Sequence, residues 1–306
     1  MIKKIIVFAI VCLFNYTTSA QQEAQYSMYF FNPLLINPGY AGSQEALTAT
    51  AVVRDQWNGL AGAPKSQCLT VHSPLKKEAL GLGLTVLNDV LGPTKNTGGY
   101  LDFSYGIKLN KQKDRLVFGL KMGVDYLQRD FSKLRINDQN DNVYLDNFSY
   151  NKTLLNVGAG MYYYGKRYYL GVSSPRLVKN KLNLISDQTA IQENHYYAFG
   201  GIVVKINPLI NMRPSFMIKY VKNAPLSVEG NLSFLINEKV WLGAVYRHNA
   251  FMGLNAMYQI TPSLKLGYAY DYTLTKLQNY SNGSHELMLS YDLRKMVKGF
   301  KSPRYF

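Results

Sequence analysis

The side chains that could carry out catalysis or bind a metal are scattered along this chain of 306 residues. The four histidines lie far apart, at His72, His195, His248 and His285. None has the His-x-His or His-Glu-x-x-His spacing that places two ligands on one metal ion. Gly81-Leu82-Gly83 and Gly158-Ala159-Gly160 look like nucleotide loops, but each lies inside a strand pattern that no helix follows. We therefore predict neither a metal site nor a cofactor.

A hydrolase would need a Ser or Asp nucleophile beside a histidine and an orienting acid, a geometry that sequence alone does not exclude. The candidates are Ser284, His285, Ser290 and Asp292. In the alternating pattern of this segment, however, His285 falls on the apolar face. Cys68 is expected to be an inert strand residue, because a reactive thiol needs an activating environment. We predict that the protein is not an enzyme.

The first 20 residues have the composition of an export signal. Lys3 and Lys4 are followed by the apolar stretch 5–14 and by the small residues Thr18-Ser19-Ala20. This stretch is too short to cross a membrane, which takes about 20 apolar residues in a helix. We predict cleavage before Gln21.

The chain is strongly basic, with a formal net charge of +15. Without Lys3 and Lys4 the charge is +13, from 32 basic and 19 acidic residues. Such a charge suits an acidic partner or anionic lipid headgroups and does not choose between them. Nucleic acid is not expected as a partner of an exported chain.

Beyond the signal, apolar and polar residues alternate with period two, the pattern of β-strands. In Leu116–Tyr126, for example, Phe118 and Leu120 fall on one face while Gly119 and Lys121 fall on the other. In a soluble sandwich the apolar faces would meet each other, whereas in a membrane barrel they would face lipid. The local pattern fits both architectures.

Three features of the whole chain favour the barrel. About fourteen such segments lie between Leu47 and Leu293, an even number as in bacterial barrels. Tight turns at Gly165-Lys166, Asn207-Pro208 and Asn237-Glu238 alternate with longer connections, and tyrosines near strand ends resemble an interfacial girdle. We predict an all-β fold, a transmembrane antiparallel barrel of about 14 strands in the outer membrane, with both mature termini in the periplasm.

The expected strand ends define the exposed loops. The third strand is expected to end at Asn88, the fourth to begin at Gly99, and the sixth to begin at Thr153. The long loops are then Arg129 to Lys152, Pro175 to Asn194 and Tyr272 to Gly283. These loops are the surfaces on which we expect an exported client protein.

The segments flanking the barrel have a different composition. Residues 21–46 contain Asn32-Pro33 and Asn37-Pro38-Gly39 among aromatic residues, and because proline removes a ladder donor they are not expected to form a membrane strand. Two placements are open, a tail packed on the periplasmic rim and a plug inside the lumen. Residues 294–306 form a basic tail, which is either a solvated end or a docking site for an acidic partner.

The proline-rich segment from Phe31 to Ser43 resembles the opening signature of the PorP/SprF family of Bacteroidetes. Arg54-Asp55-Gln56-Trp57, Gly62-Ala63-Pro64 and the ending Ser302-Pro303-Arg304-Tyr305-Phe306 agree with it, and Gly39 replaces the Ala of many members. The resemblance implies a non-enzymatic outer-membrane component of the type IX secretion system, associated in some bacteria with gliding motility.

The same resemblance implies partners. The expected role is to bind, help export or anchor a large secreted surface protein, such as an adhesin, through its C-terminal domain. The alternatives are a core secretion or motility barrel bound to periplasmic lipoproteins, and a porin-like channel. Residues of the motif with an expected structural or partner-binding role are Asn32, Pro33, Asn37, Pro38, Tyr40, Gly42, Arg54, Gln56, Trp57 and Pro64. Residues of the tail that could contact a periplasmic partner are Arg294, Lys298, Arg304, Tyr305 and Phe306.

Overall fold

The computed structural model describes residues 25–293 except 45, 76–78, 111–113, 131, 133–148 and 183–190. This part of the chain forms a closed antiparallel barrel of 14 strands, which confirms the predicted fold class and strand number. In chain order the strand segments are β1 (Leu47–Asp55), β2 (Lys65–Pro74), β3 (Leu80–Leu91), β4 (Thr94–Lys108), β5 (Arg115–Asp130), β6 (Ser149–Tyr164), β7 (Tyr168–Ser174), β8 (His195–Ile202), β9 (Val204–Lys205), β10 (Ile210–Val221), β11 (Ser227–Ile236), β12 (Val240–Arg247), β13 (Phe251–Gln259), β14 (Leu264–Thr273) and β15 (Ser284–Leu293).

The strands follow one another around the barrel, and β15 pairs with β1 to close it. The segments β8 and β9 are one barrel strand, because both pair with β10 in the same register, Gly201 opposite Ser215 and Val204 opposite Met212. Pro214 lies in the facing part of β10 and has no N–H to donate, which accounts for the interruption between them.

The two ends of the barrel differ in their connections. The short-turn rim, where β1 begins and β15 ends, has connections 75–79, 109–114, 165–167, 206–209, 237–239 and 260–263. The opposite end, the long-loop rim, has connections 56–64, 92–93, 131–148, 175–194, 222–226, 248–250 and 274–283. The three predicted tight turns all lie on the short-turn rim. Three connections of the long-loop rim, 92–93, 222–226 and 248–250, are no longer than 75–79 of the short-turn rim, so the predicted alternation in length is not complete.

The wall exposes apolar side chains and buries polar ones. In β5, Phe118, Leu120 and Met122 face outward, whereas Lys121 and Asp125 face the lumen and are buried. A soluble protein has the opposite arrangement, with apolar side chains inside and polar ones outside. Apolar side chains outside and polar ones in the lumen are typical of a barrel that spans a membrane. The predicted two-faced pattern is therefore confirmed. In the described residues, no helix is long and apolar enough to cross a membrane.

The tyrosine girdle was predicted only in part correctly. Tyr163 and Tyr168 face outward, but Tyr162, Tyr169 and Tyr197 are buried in the lumen. The reason is the period of the strand, since neighbouring residues of a strand point to opposite faces.

Three strand ends also differ from the prediction. β3 and β4 continue past Asn88 and Gly99 to a two-residue turn, Gly92-Pro93, where Gly92 has a φ of +54°. Gly tolerates this positive φ, so a tight hairpin forms where a loop was expected. β6 begins at Ser149, and the first long loop is therefore 131–148 rather than 129–152.

Residues 25–44 of the N-terminal segment lie inside the lumen, so the plug is the placement that the structure supports. It contains three short 3-10 helices, η1 (Tyr29–Phe31), η2 (Pro33–Leu35) and η3 (Pro38–Tyr40). From β1 at the short-turn rim the segment runs back up the lumen, and Ser27 reaches Glu286 near the long-loop end of β15. The segment thus extends through most of the barrel's height.

Candidate functional site: the occupied lumen and its two rims

Asn37 fixes the segment against the wall formed by β5, β6 and β7. It is fully buried, its amide nitrogen donates to the carbonyl oxygen of Met161 at 2.9 Å, and its oxygen accepts from the N–H of Gly39 at 2.8 Å. The wall comes close here because it has glycines. A Cβ at Gly119 would lie 2.1 Å from the nitrogen of Gly39, and a Cβ at Gly160 would lie 2.2 Å from the Asn37 oxygen.

The two prolines of the motif start the short helices that follow them. Pro33 begins η2 and Pro38 begins η3, where a fixed φ suits a helical start and no N–H donor is lost. Just before Pro33, the side chain of Asn32 donates to Thr70 of β2 at 2.9 Å. The Asn-Pro pairs of the sequence are therefore turns with a wall contact.

Tyr40 belongs to an aromatic cluster in the lumen. Its ring lies 5.5 Å from that of Tyr162 and 5.3 Å from that of His72, both in edge-to-face geometry. Such ring pairs contribute about 0.5–1.5 kcal/mol each beyond the area they bury. Nearby, Gly42 has a φ of +71°, and its N–H donates to Nδ1 of His72 at 3.2 Å. His72 thus has a structural position, and in the described residues no group of His, Cys, Asp or Glu could hold a metal ion.

Arg54 forms the second anchor of the segment, on the opposite wall. Its guanidinium pairs with Asp271 at 2.7 Å and with Glu286 at 2.9 Å, and all three side chains are buried. Glu286 also accepts from the backbone N–H groups of Ser27 and Met28, at 2.8 and 2.9 Å. A buried carboxylate needs such donors, so the start of the segment completes the ion-pair cluster.

Further basic groups hold the segment on the same side. Arg247 pairs with Glu229 at 2.6 Å and donates to the side chain of Gln25. The guanidinium of Arg213 lies over the rings of Phe31 and Trp241, at 4.7 and 4.4 Å from their centres. Cation–π contacts of this kind are stronger when water is excluded.

A second chain segment enters the lumen from the long-loop rim. Arg176, which follows β7, donates to the hydroxyl of Tyr100 at 3.1 Å and lies 3.5 Å from Asp125. Asp125 also accepts from Tyr100 and Asn156. Tyr26, Tyr100 and Arg176 line a cavity of about 90 Å³ in this part of the lumen.

The remaining motif residues lie at the long-loop rim. The N–H of Gln56 donates to the carbonyl of Pro64 at 3.0 Å, and both residues are buried. Trp57 has a φ of 53°, which is uncommon for a residue with a side chain. Its neighbour Asn58 exchanges backbone hydrogen bonds with residues 282 and 283, so connections 56–64 and 274–283 form one surface.

At the short-turn rim, the hydroxyl of Tyr168 donates to Asp114 at 2.6 Å. This hydrogen bond, with a second one from Asn110, holds the pKa of Asp114 below its usual range. The predicted tail contacts Arg294, Lys298, Arg304, Tyr305 and Phe306 lie outside the described residues, as does the predicted signal 1–20. Their roles stay predictions.

The residues considered for hydrolysis do not come together. His285 faces outward and contacts the hydroxyl of Tyr268 at 2.6 Å, while Ser284 is buried on the other face of β15. Ser290 lies 3.1 Å from Thr50, and Asp292 pairs with Lys265. Cys68 is buried and free.

Sequence reasoning missed most of the partners of the motif. The period-two alternation places Asp271 and Glu286 on the polar faces of β14 and β15, where the structure has them. It did not connect them to Arg54, because Arg54 and Glu286 are 232 positions apart. Ser27, Arg176 and the close approach of Gly119 to Gly39 had no signal in the sequence pattern.

A lipid-exposed apolar wall around an occupied polar lumen defines an outer-membrane β-barrel. The fold is similar to CymD, a monoaromatic hydrocarbon channel, with a TM-score of 0.52, 11% identity, and coverage of 85% of this chain and 91% of that one. Omp33 of Acinetobacter baumannii has a TM-score of 0.43 at 8% identity, covering 81% of this chain and 98% of Omp33. BamA from Haemophilus ducreyi has a TM-score of 0.42 at 9% identity, covering 81% and 70%. No curated protein matches the chain significantly.

The family model for the type IX secretion system membrane protein PorP/SprF matches residues 18–291. The chain therefore belongs to the PorP/SprF family, which confirms the resemblance seen in its motifs. It is an outer-membrane barrel of the type IX secretion system, and its short-turn rim faces the periplasm.

Proposed function

We propose that this barrel binds, helps to export or anchors a large secreted surface protein through that protein's C-terminal domain, at the long-loop rim. The observation that carries the proposal is the occupied lumen. Residues 25–44 fill it from one end towards the other, held by Asn37 on one wall and by Arg54 and Glu286 on the opposite wall. A barrel closed by its own chain favours binding at the rims over passage through the lumen.

The space beside the N-terminal segment argues against a channel. The cavity that Tyr26, Tyr100 and Arg176 line has a volume of about 90 Å³, far below the roughly 300–1,000 Å³ typical of sites for small molecules. Passage of a solute would require the segment to leave the lumen. Release would remove the Ser27 hydroxyl from Asp271 and the backbone N–H groups of Ser27 and Met28 from Glu286, and a buried carboxylate that loses its donors is costly.

The long-loop rim offers a surface for a partner. Connections 56–64 and 274–283 are joined by the hydrogen bond from the N–H of Asn58 to the carbonyl of Gly283, at 2.7 Å. Tyr280, at the top of this surface, is 69% exposed. Aromatic side chains on a rigid support are common centres of protein interfaces.

The test is affinity purification of a tagged copy from solubilised outer membranes, with mass spectrometry of the bound proteins. We expect a large secreted protein, retained through its C-terminal domain. A short epitope inserted after Asn279, on the long-loop rim, should abolish this retention. The matched control is the same epitope after Pro262, on the short-turn rim, which should leave it unchanged.

The two alternatives predict different results. Recovery of periplasmic lipoproteins without a secreted protein, lost on insertion after Pro262, would support a core-apparatus barrel. An empty bait together with a steady open conductance in planar bilayers would support a channel and contradict the proposal.

A further inference from the structure

The outer wall of the barrel is not convex all round. A groove of about 800 Å³ opens on its lipid-facing side along β4 to β10. Its sides are outward-facing apolar residues, among them Phe103, Tyr105, Phe118, Leu120, Met161 and Val172. Its floor is made of small residues, including Gly119, Ala159 and Gly160. Large side chains around a floor of small ones form a slot that a smooth barrel wall lacks.

The groove lies directly behind the anchor of the N-terminal segment. On the lumen side of the floor, Gly119 lies against the backbone of Gly39 and Gly160 lies against the side chain of Asn37, and neither position has room for a Cβ. The floor of the groove and the contact with the Asn37-Pro38-Gly39 turn therefore share the same two glycines.

The short-turn rim below the groove is basic. Lys108 at the end of β4, Lys166 and Arg167 in the β6–β7 turn, and Lys205 in β9 are all exposed. The acidic residue described among them, Asp114, is engaged by Tyr168. On the far side of the same rim, the turn 237–239 carries Glu238 beside Lys239. On the short-turn rim, the exposed basic side chains named here therefore lie on the same side of the barrel as the groove.

We propose that this groove is a binding site for an anionic phospholipid of the periplasmic leaflet. An acyl chain lies in the apolar slot, where it contacts more apolar surface of the barrel than it could on a convex wall. The phosphate group lies at the short-turn rim beside Lys166 and Arg167, as anionic headgroups do at basic patches of membrane proteins. The periplasmic leaflet is the source because the basic rim is the one that faces the periplasm.

The experiment uses the full-length barrel purified in mild detergent and delipidated. It is then exposed to phosphatidylglycerol, phosphatidylethanolamine or lipid A, and bound lipid is counted by native mass spectrometry. We expect phosphatidylglycerol to be retained in preference to the other two. The double variant Lys166→Gln/Arg167→Gln should weaken phosphatidylglycerol binding by about tenfold or more, since each charge near a headgroup contributes.

A matched pair of variants tests the apolar part. Ala159→Phe places a ring on the floor of the groove and should prevent retention. Ala256→Phe makes the same change on the outward face of β13, away from the groove, and should retain lipid as the unchanged protein does. Gel migration of the unheated proteins verifies that both variants are folded barrels.

Three results would overturn the proposal. Equal retention by Ala159→Phe and Ala256→Phe would show that lipid binds outside the groove. If phosphatidylethanolamine binds as well as phosphatidylglycerol, the basic rim has no role in recognition. If lipid A binds best, the ligand belongs to the outer leaflet and not to the periplasmic one. A dimer mass that disappears in Ala159→Phe would identify a second copy of the chain as the occupant instead.

Discussion

The two walls that hold the N-terminal segment use different physical means. On the β4–β7 side, the contact is one of shape, where glycines let the backbone of Gly39 and the side chain of Asn37 touch the wall. On the β14–β15–β1 side, the contact is one of charge: Glu286 accepts from the backbone N–H groups of Ser27 and Met28, and the Ser27 hydroxyl bonds to Arg54 and Asp271. The contact on the β4–β7 side is therefore sensitive to an added atom, and the contact on the β14–β15–β1 side is sensitive to the loss of a charged partner.

The strands on the two sides differ as well. β4, β5 and β6 have 15, 16 and 16 residues, while β14, β15 and β1 have 10, 10 and 9; β7, also on the first side, has 7. A tilted membrane strand needs about 9–11 residues. The long strands therefore continue beyond the membrane at the long-loop rim, on the side where the segment and Arg176 fill the lumen. The short strands end near the membrane surface.

The charge side should be the most sensitive to mutation. Arg54→Met leaves Asp271 and Glu286 buried without their cation, and removing one partner of a buried ion pair costs about 3–5 kcal/mol. We expect a lower urea midpoint of unfolding and protease cleavage within residues 25–44. The matched control is Lys265→Met, because the Lys265 side chain is 27% exposed and partly exposed pairs contribute less, about 0–1 kcal/mol. If Arg54→Met and Lys265→Met lower the urea midpoint equally, the buried cluster is no more important to stability than the partly exposed pair, and the prediction is wrong.

The shape side should respond to a single added methyl group. Gly119→Ala places a Cβ 2.1 Å from the backbone nitrogen of Gly39, so wall or segment has to move. Overpacking of this kind costs about 1–3 kcal/mol. The control Gly230→Ala adds the same methyl group where no atom lies within 4 Å, and its urea midpoint should match the unchanged protein. If Gly119→Ala keeps the urea midpoint of the unchanged protein and residues 25–44 stay protected from protease, the contact between Gly119 and Gly39 is looser than the structure shows.

The walls could be predicted from the sequence, but the way they hold the segment could not. Period-two alternation placed Gly119 and Lys121 on one face of β5, which is the lumen face in the structure, because side-chain direction in a strand depends on position. What fills the lumen depends on contacts between distant parts of the chain, such as Ser27 with Glu286, 259 positions apart. The Asn-Pro pairs indicated turns correctly, yet turn chemistry alone is compatible with a rim tail and with a plug.

Asn37 tests whether shape alone secures the segment on the β4–β7 side. Asn37→Ala removes the bond to the Met161 carbonyl and the one from the Gly39 N–H, and leaves the contact between Gly119 and the backbone of Gly39 in place. Because a net hydrogen bond contributes about 0.5–1.5 kcal/mol, the loss should be smaller than in Gly119→Ala or similar to it. Asn37→Asp, which keeps the acceptor for Gly39 but loses the donor and buries a charge, should lower the urea midpoint further than Asn37→Ala. If Asn37→Ala instead frees residues 25–44 to protease while Arg54→Met does not, the hydrogen bonds to the wall hold the segment, and the ion-pair cluster serves chiefly to close β15 onto β1.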